Sequence, residues 1–245
     1  SVARIMIGAG TSPSHHRASL HALTLIVMTR LPREGRNKTR LVPALGAKGA
    51  MAFHDRLARH TIGRASSFCM MGKGRKLSVC LEGGTPIEGK TWLGEDGFDC
   101  REQADGDLGE RMRTASEEAF NDGAEKVIII GTDCPGIDES TFSETEGLLE
   151  HNDLVFGPAL DGGYYLIGLA KPISAVFEAI PWGGQDVLEH SLLAAGREDL
   201  KTALLGPLPD ADFPEDLPAA EAELVKGSTV SVIIPTLDVE SSIAE

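Results

Sequence analysis

The sequence has few aromatic residues, few cysteines and no long hydrophobic run, and each shortage excludes a class of protein. Aromatic residues make up 5% of the 245 residues, which argues against a carbohydrate-binding groove paved with rings. No run approaches the roughly 18 apolar residues that a membrane-spanning helix needs. The four cysteines form no CxxC pair and no Cys/His cluster, so neither zinc binding nor a disulfide framework is indicated. We expect a globular α/β protein in a reducing, cytoplasmic setting.

Positive charge is also scarce, and the net charge is −14. Residues 137–245 carry 4 Lys and Arg against 21 Asp and Glu. Because such a field repels polyanions, nucleic acid is not an expected partner. Residues 30–40 reverse the trend, since they hold five basic side chains and one acid, Glu34.

The segment Lys126–Gly136, KVIIIGTDCPG, is the best candidate for the centre of the fold. The β-branched run Val127–Ile130 is typical of a strand buried on both faces of a parallel sheet. Ligands of open α/β sheets bind beyond the carboxyl ends of the strands, which is where Asp133 lies. A carboxylate there can hold Mg²⁺ or Mn²⁺ against a substrate phosphate. The alternative is that Asp133 caps a helix starting near Ile137–Asp138.

A basic loop follows the first predicted strand, Leu23–Thr29. Pro32 and Gly35 indicate a loop. Lys38 and Arg40 within it are candidates for holding a nucleotide diphosphate, and Arg30 at its start is a further candidate. The loop contains neither a GxxxxGK[ST] nor a GxGxxG motif. A surface loop without a ligand is therefore the other interpretation.

Four more aspartates stand in predicted turns or at the entry to a predicted helix: Asp107, Asp161, Asp186 and Asp212. Asp107, Asp186 and Asp212 each come close to the start of a predicted helix, so each either caps that helix or contacts a ligand. Asp161 begins an Asp-Gly pair, a strong hairpin signal, so a purely structural turn is the alternative to a catalytic role.

Hydrophobic periodicity predicts the remaining elements. The predicted strands are Lys76–Leu81, Asp153–Gly157, the segment leading to Leu169, and Leu200–Leu205. The predicted helices are Gly46–Thr61, Glu110–Asp122, Asp138–Glu150, Ile173–Ala179, Gly184–Ala195 and Glu215–Val225. The segment Glu82–Cys100 is Gly-rich and acidic and is interpreted as a loop carrying Trp92, and His54 and His60 as packing or surface residues. Residues 1–21 are interpreted as a leader, 22–226 as the main domain and 227–245 as the start of a second domain.

Five motifs in this order carry a family resemblance: Lys38–Leu41, Gly106–Met112, Gly131–Gly136, Asp161–Leu169 and Pro214–Leu217. Together they resemble the glycosyltransferase family called "transferase 1, radical-SAM/selenodomain-associated", also described as arsenosugar-biosynthesis-type. The resemblance covers about residues 23–225. It implies a GT-A, nucleotide-diphospho-sugar transferase fold with a mostly parallel central sheet, similar to 2-phospholactate guanylyltransferase and other small nucleotidyltransferases.

The resemblance also implies roles for single residues. Lys38 and Arg40 would face the donor phosphates, and Asp133 and Asp212 would be the metal carboxylates. Phe213 stands where the family usually has Thr. Asp107 and Arg111, in the second motif, are candidate nucleotide or phosphate contacts.

The C-terminal segment has a resemblance of its own. Ser231–Leu237 looks like the opening strand of a family 2 glycosyltransferase, a domain sometimes fused behind "transferase 1". The alternative is a last strand at the edge of the sheet.

The implied activity is a metal-dependent glycosyltransferase acting on a nucleotide-diphosphate sugar and a small acceptor. Asp161 is the first candidate for the acceptor's base and Asp186 the second. The alternatives are a nucleotidyltransferase that releases pyrophosphate from an NTP, and a non-catalytic nucleotide-binding domain fused to an active neighbour.

Overall fold

The structure is a computed structural model that describes residues 21–94 and 97–226. The predicted leader, apart from His21, and the predicted second domain at 227–245 lie outside the described residues. None of the helices within the described ranges is long and apolar enough to cross a membrane.

Within the described residues, seven strands and six α-helices alternate, except that the sixth strand follows the fifth directly. The strands are β1 His21–Arg30, β2 Arg75–Glu82, β3 Asp99–Glu102, β4 Ala124–Ile130, β5 Leu154–Pro158, β6 Tyr164–Leu169 and β7 Thr202–Leu204; the helices are α1 Val42–Met71, α2 Pro86–Leu93, α3 Leu108–Asn121, α4 Glu139–Leu148, α5 Val187–Arg197 and α6 Leu217–Lys226. Short 3₁₀ turns at Thr39–Leu41 and Pro214–Asp216 precede α1 and α6.

The strands form one sheet in the order β3-β2-β1-β4-β6-β5-β7. Only β6 runs antiparallel to its neighbours β4 and β5 among the strands described. The predicted α/β class and mostly parallel sheet are therefore confirmed. The Asp-Gly hairpin signal is confirmed as well, because residues 159–163 connect the antiparallel pair β5 and β6.

The central strand β4 is buried on both faces, as its unbroken apolar run predicts. Ile128 and Ile130 face the core under α1 and α4, where Phe68 and Phe142 pack. Val127 and Ile129 face the opposite core, which α3 and the chain before α5 cover. Because helices cover both faces of the sheet, the sheet remains accessible at the ends of its strands.

Two predicted elements are wrong. Ile173–Ala179 is not a helix: residues 175–179 form a turn, and it ends at Ala179, whose left-handed conformation with φ 55° cannot continue an α-helix. The segment after β2 is not one loop, since it contains α2 and β3. Thr85 and Glu88 form a capping box at the start of α2, and Trp92 lies within this helix.

Other boundaries move by a few residues. Helix α1 starts at Val42 and continues to Met71, beyond the predicted end at Thr61, although Gly46 interrupts its first turns with φ 71°. Helix α5 begins three residues later than predicted, at Val187, and β7 is shorter than the predicted strand Leu200–Leu205. His54 is buried at 4% exposure, in agreement with a packing residue.

Candidate functional site

A cleft of about 660 Å³ lies at the carboxyl ends of the central strands β1 and β4. The ends of β1 and β4, the basic loop, the start of α3 and the segments around residues 161 and 210 line it. This is the edge at which open α/β sheets bind their ligands.

Lys38 lies at the centre of the polar part of this cleft. Its Nζ is 2.7 Å from Asp133 Oδ1 and 2.8 Å from Asp212 Oδ1, and its side chain is 5% exposed. The residue adopts a left-handed backbone conformation, φ 47° and ψ 48°, just before the 3₁₀ turn Thr39–Leu41. Buried Asn37 shapes this bend, because its Oδ1 accepts a hydrogen bond from Arg33 N at 2.5 Å.

The electrostatics of Lys38 favour the charged form. Burial alone would lower the pKa of Lys38, but attraction by Asp133 and Asp212 exceeds that effect and raises it above the ordinary value. A buried ammonium ion therefore neutralises one of the two carboxylates at neutral pH.

Asp133 projects from the turn after β4, and its side chain is 53% exposed. The capping interpretation of Asp133 is wrong, because Asp138 is the N-cap of α4 and accepts a hydrogen bond from Thr141 N at 2.9 Å. The carbonyl of Asp133 accepts from Ala211 N at 2.9 Å. That bond fastens the turn after β4 to the segment that carries Asp212.

Asp212 is held by Arg40 as well as by Lys38. Arg40 Nη1 is 3.0 Å from Asp212 Oδ2, and its guanidinium lies 5.0 Å from the centre of the Phe213 ring. The capping interpretation of Asp212 is wrong too, since Asp216 accepts from the backbone N–H groups of Asp212 and Phe213 at 3.0 and 2.7 Å. Phe213 thus gives Arg40 a cation–π contact.

Asp210 is a candidate site residue that the sequence alone did not indicate. It lines the cleft together with Asp161. Burial raises the pKa of Asp210, and the nearby carboxylates of Asp161, Asp212 and Asp133 raise it further. The available signal was its place two residues before Asp212 in Asp-Ala-Asp. Asp161 Oδ1 accepts from Gly163 N at 2.9 Å, so the turn fixes the carboxylate while leaving it exposed to the cleft.

Arg30 and Arg111 also line the cleft, and both are paired with one acid. Arg30 Nε and Arg111 Nη1 lie 2.7 and 3.0 Å from Glu82 Oε2. Gln103 donates from Nε2 to the carbonyls of Cys80 and Thr29, at 2.9 and 3.2 Å. The Gln103 side chain therefore links the ends of β2 and β1, which fixes the backbone next to the two arginines.

One wall of the cleft is apolar. Leu108, Tyr164 and Trp182 line it, and the rings of Tyr164 and Trp182 meet edge to face at 6.3 Å between centroids. Gly109 permits this arrangement, because a Cβ at that position would lie 2.4 Å from Trp182 Nε1. The wall suits a flat or apolar part of a substrate.

Two predicted site residues are not brought to the cleft. Asp107 is the N-cap of α3 and accepts from Glu110 N at 2.9 Å, so its capping alternative is confirmed. Asp186 precedes α5 but makes no side-chain capping bond. Neither lines the cleft.

The carboxylates of Asp133 and Asp212 fit a divalent cation only when a bound substrate supplies further oxygen ligands. The two carboxylates already converge on one positive charge, the Lys38 ammonium. No group of three or more His, Cys, Asp and Glu side chains suited to a metal ion occurs among residues 21–94 and 97–226. Mg²⁺ commonly takes one or two carboxylates and fills its remaining positions with water and phosphate oxygens, and Asp133 with Asp212 match that kind of site.

The fold is that of the GT-A, nucleotide-diphospho-sugar transferase class, as the sequence predicts. The chain is similar to a protein from Desulfovibrio desulfuricans G20 described as a "putative nucleotide-diphospho-sugar transferase". Their identity is 26% and the TM-score 0.72, over 84% of this chain and 97% of that one.

Two more distant structures share the fold. The first is 4-diphosphocytidyl-2C-methyl-D-erythritol synthase from Anaerococcus prevotii DSM 20548, at 14% identity and a TM-score of 0.55, over 84% of this chain and 96% of that one. The second is Rv0371c from Mycobacterium tuberculosis H37Rv in complex with manganese, at 15% identity and a TM-score of 0.52, over 81% of this chain and 97% of that one.

Sequence comparison adds one finding. The model of a family described as "Uncharacterized protein conserved in bacteria (DUF2064)" matches residues 69–184. This range includes the motifs around Asp107, Asp133 and Asp161 but neither Lys38 nor Asp212. No curated protein sequence matches the chain.

Proposed function

We propose that this protein is a nucleotide-binding transferase that moves a sugar from a nucleotide-diphosphate sugar to a small acceptor, with Mg²⁺ or Mn²⁺ as cofactor. The observation that carries the proposal is the convergence of Asp133, Asp212, Lys38 and Arg40 at the open edge of a GT-A sheet. The two carboxylates and the two cations lie 2.7–3.0 Å from their partners and line the cleft. This arrangement suits a diphosphate that carries a divalent metal ion.

Asp133 and Asp212 would hold the ion, and Lys38 and Arg40 would contact the donor diphosphate. When bound, a divalent ion neutralises charge that grows on the diphosphate as the sugar C1–O bond breaks. Lys38 and Arg40 add fixed positive charge at the same leaving group. The manganese complex of Rv0371c, a protein of the same fold, supports the choice of metal.

The acceptor would lie toward Asp161 and Asp210. Asp161, predicted as the base, is exposed to the cleft, and it would take the proton of an acceptor hydroxyl. Asp210 is the second candidate in place of Asp186, because Asp210 lines the cleft and Asp186 does not. The wall of Leu108, Tyr164 and Trp182 offers a contact surface for an apolar face of one substrate.

A second candidate function is nucleotidyl transfer. Arg30 and Arg111 line the cleft besides Lys38 and Arg40. Both pair with Glu82 in the free protein, and on turning to a ligand they would add donors for the phosphates of a triphosphate. An acceptor phosphate oxygen would attack the α-phosphorus of an NTP, and pyrophosphate would leave. The Anaerococcus synthase, which shares the fold, supports this alternative. The particular family suggested by the motifs, a fused family 2 glycosyltransferase and a cytoplasmic setting stay predictions.

Product analysis distinguishes the two activities. The protein is incubated with labelled UDP-, GDP- and dTDP-sugars and, separately, with the four NTPs, in Mg²⁺ and in Mn²⁺, with candidate small acceptors. Sugar transfer predicts release of a free nucleoside diphosphate, and nucleotidyl transfer predicts release of pyrophosphate.

Asp133→Asn, assayed in parallel, shows whether any product depends on the candidate metal site. The absence of both products under all conditions would contradict the enzymatic proposal and favour a non-catalytic nucleotide-binding domain.

A further inference from the structure

Lys38 occupies the place that a metal ion would need. Its ammonium lies within 2.8 Å of one oxygen of each candidate metal carboxylate, Asp133 and Asp212. The side chain is 5% exposed, whereas Arg40, the other cation on Asp212, is 62% exposed. The ammonium is therefore packed between the acids, while the guanidinium approaches one of them from outside.

An ammonium and a divalent ion cannot both occupy this position. A bound Mg²⁺ or Mn²⁺ would be held by the same two carboxylates at a shorter distance, and the two positive charges would repel each other. The acids satisfied by Lys38 have little tendency to bind a second cation while the ammonium remains between them.

A nucleotide diphosphate would remove this obstacle. Its phosphates would bring several negative charges into the cleft, next to the loop that carries Lys38 and Arg40. The lysine side chain is a compact charge on a flexible four-carbon stem, so it can turn from the carboxylates to a phosphate. Asp133 and Asp212 would then be free for the metal, and the phosphates would supply its further oxygen ligands.

We propose that Lys38 holds the place of the divalent ion in the free protein and passes to the diphosphate when the nucleotide binds, so that the metal and the nucleotide each bind more tightly when the other is present. This inference rests on the proposed function, because it takes Asp133 and Asp212 as the metal carboxylates. The coupling is reciprocal: the metal strengthens nucleotide binding by the factor by which the nucleotide strengthens metal binding.

The test is direct measurement of Mn²⁺ binding by electron paramagnetic resonance, in which hydrated Mn²⁺ loses its sharp signal on binding. The wild-type protein is titrated alone and with UDP or GDP, after subtraction of the Mn²⁺–nucleotide complex measured without protein. We expect weak binding alone and at least roughly tenfold tighter binding with the diphosphate, within the usual range of coupling between sites.

Lys38→Met removes the ammonium while keeping most of the side-chain volume. This variant is expected to bind Mn²⁺ without nucleotide about tenfold tighter than wild type, and to show little further gain with UDP or GDP. Arg40→Met is the matched control, because it removes one positive charge from Asp212 but leaves Lys38 between the acids. It should keep the nucleotide requirement.

Thermal unfolding gives a second readout that tolerates a less stable variant. Without nucleotide, Mn²⁺ should raise the melting temperature of Lys38→Met more than that of wild type, since a ligand stabilises the form that binds it.

The outcomes separate this inference from the proposed function. Wild-type protein that binds Mn²⁺ alone as tightly as Lys38→Met would overturn the place-holding role and leave a metal-dependent transferase intact. Equal gains in Lys38→Met and Arg40→Met would also overturn it, because simple charge removal would then explain both. Failure of every variant to bind Mn²⁺, with or without either diphosphate, would contradict the proposed metal site itself.

Discussion

Asp133→Asn is expected to lower kcat/KM for the donor nucleotide about a hundredfold or more. The carboxylate is a predicted metal ligand, and its charge also holds Lys38 at 2.7 Å. An amide keeps the shape but removes the charge, so the stabilisation of the leaving diphosphate is lost. Removing a single hydrogen-bond donor that stabilises transition-state charge costs about 2.7–4 kcal/mol in a serine protease, and we expect a loss of this order here. Initial rates with whichever donor the product analysis identifies give the measurement.

Asp138→Asn is the matched control for this change. Asp138 lies five residues further along the same loop, outside the cleft, and caps α4. Because Asn is also a good N-cap residue, the control should keep both fold and activity. If Asp133→Asn retained activity within about threefold of that control, the metal role of Asp133 would be excluded, since such a role implies a loss of about a hundredfold.

Gly162→Ala is expected to destabilise the fold strongly and to abolish activity. Gly162 has φ 92° in the turn between β5 and β6, and a Cβ there would lie 1.7 Å from the backbone oxygen of Gln185. The backbone at Gln185 leads directly into α5, so it cannot move aside as a flexible side chain would. Steric overpacking and the left-handed backbone together should cost about 2–5 kcal/mol. Urea unfolding monitored by circular dichroism measures the loss.

Gly183→Ala separates the two causes. Gly183 also has positive φ, 85°, but a Cβ there would meet nothing within 4 Å. Its substitution should therefore show only the backbone cost, about 1–2 kcal/mol. Equal losses at both positions would show that the contact with Gln185 does not decide the effect, and that the turn carrying Asp161 is less tightly fixed than the structure indicates.

Much of the fold could be predicted because local patterns coincide with tertiary packing. The run Val127–Ile130 packs on both faces of the sheet. The Asp-Gly turn joins β5 to β6. Both are signals in which a short stretch of sequence already contains the cause of its structure.

The wrong predictions concern two kinds of segment: one whose structure is set by packing against the rest of the fold, and one whose local capping signal was overlooked. The segment Ile173–Ala179 has helical spacing, but Val176 and Phe177 are buried in the core as a turn, and Ala179 ends it with a positive φ. Helix α2 was predictable in principle, since Thr85 and Glu88 form a capping box that the sequence displays.

The candidate site also has one part that could be predicted from the sequence and another part that could not. Its position after β1 and β4 follows from the topology of parallel sheets. The pairing of Lys38 with Asp212 joins residues 174 positions apart in the sequence. The family resemblance implies one site for both residues but does not pair them. The place-holding position of Lys38 could not be inferred at all, because it depends on a left-handed backbone at a non-glycine residue.

The most direct test of the account is anomalous X-ray diffraction at the manganese edge, on crystals grown with Mn²⁺ and the nucleoside diphosphate that binds. We predict one manganese peak in contact with Asp133 and Asp212, with the diphosphate on its open side and Lys38 Nζ turned from the acids to a phosphate oxygen. A diphosphate bound in the cleft without manganese at these two carboxylates, or manganese bound elsewhere, would contradict the account.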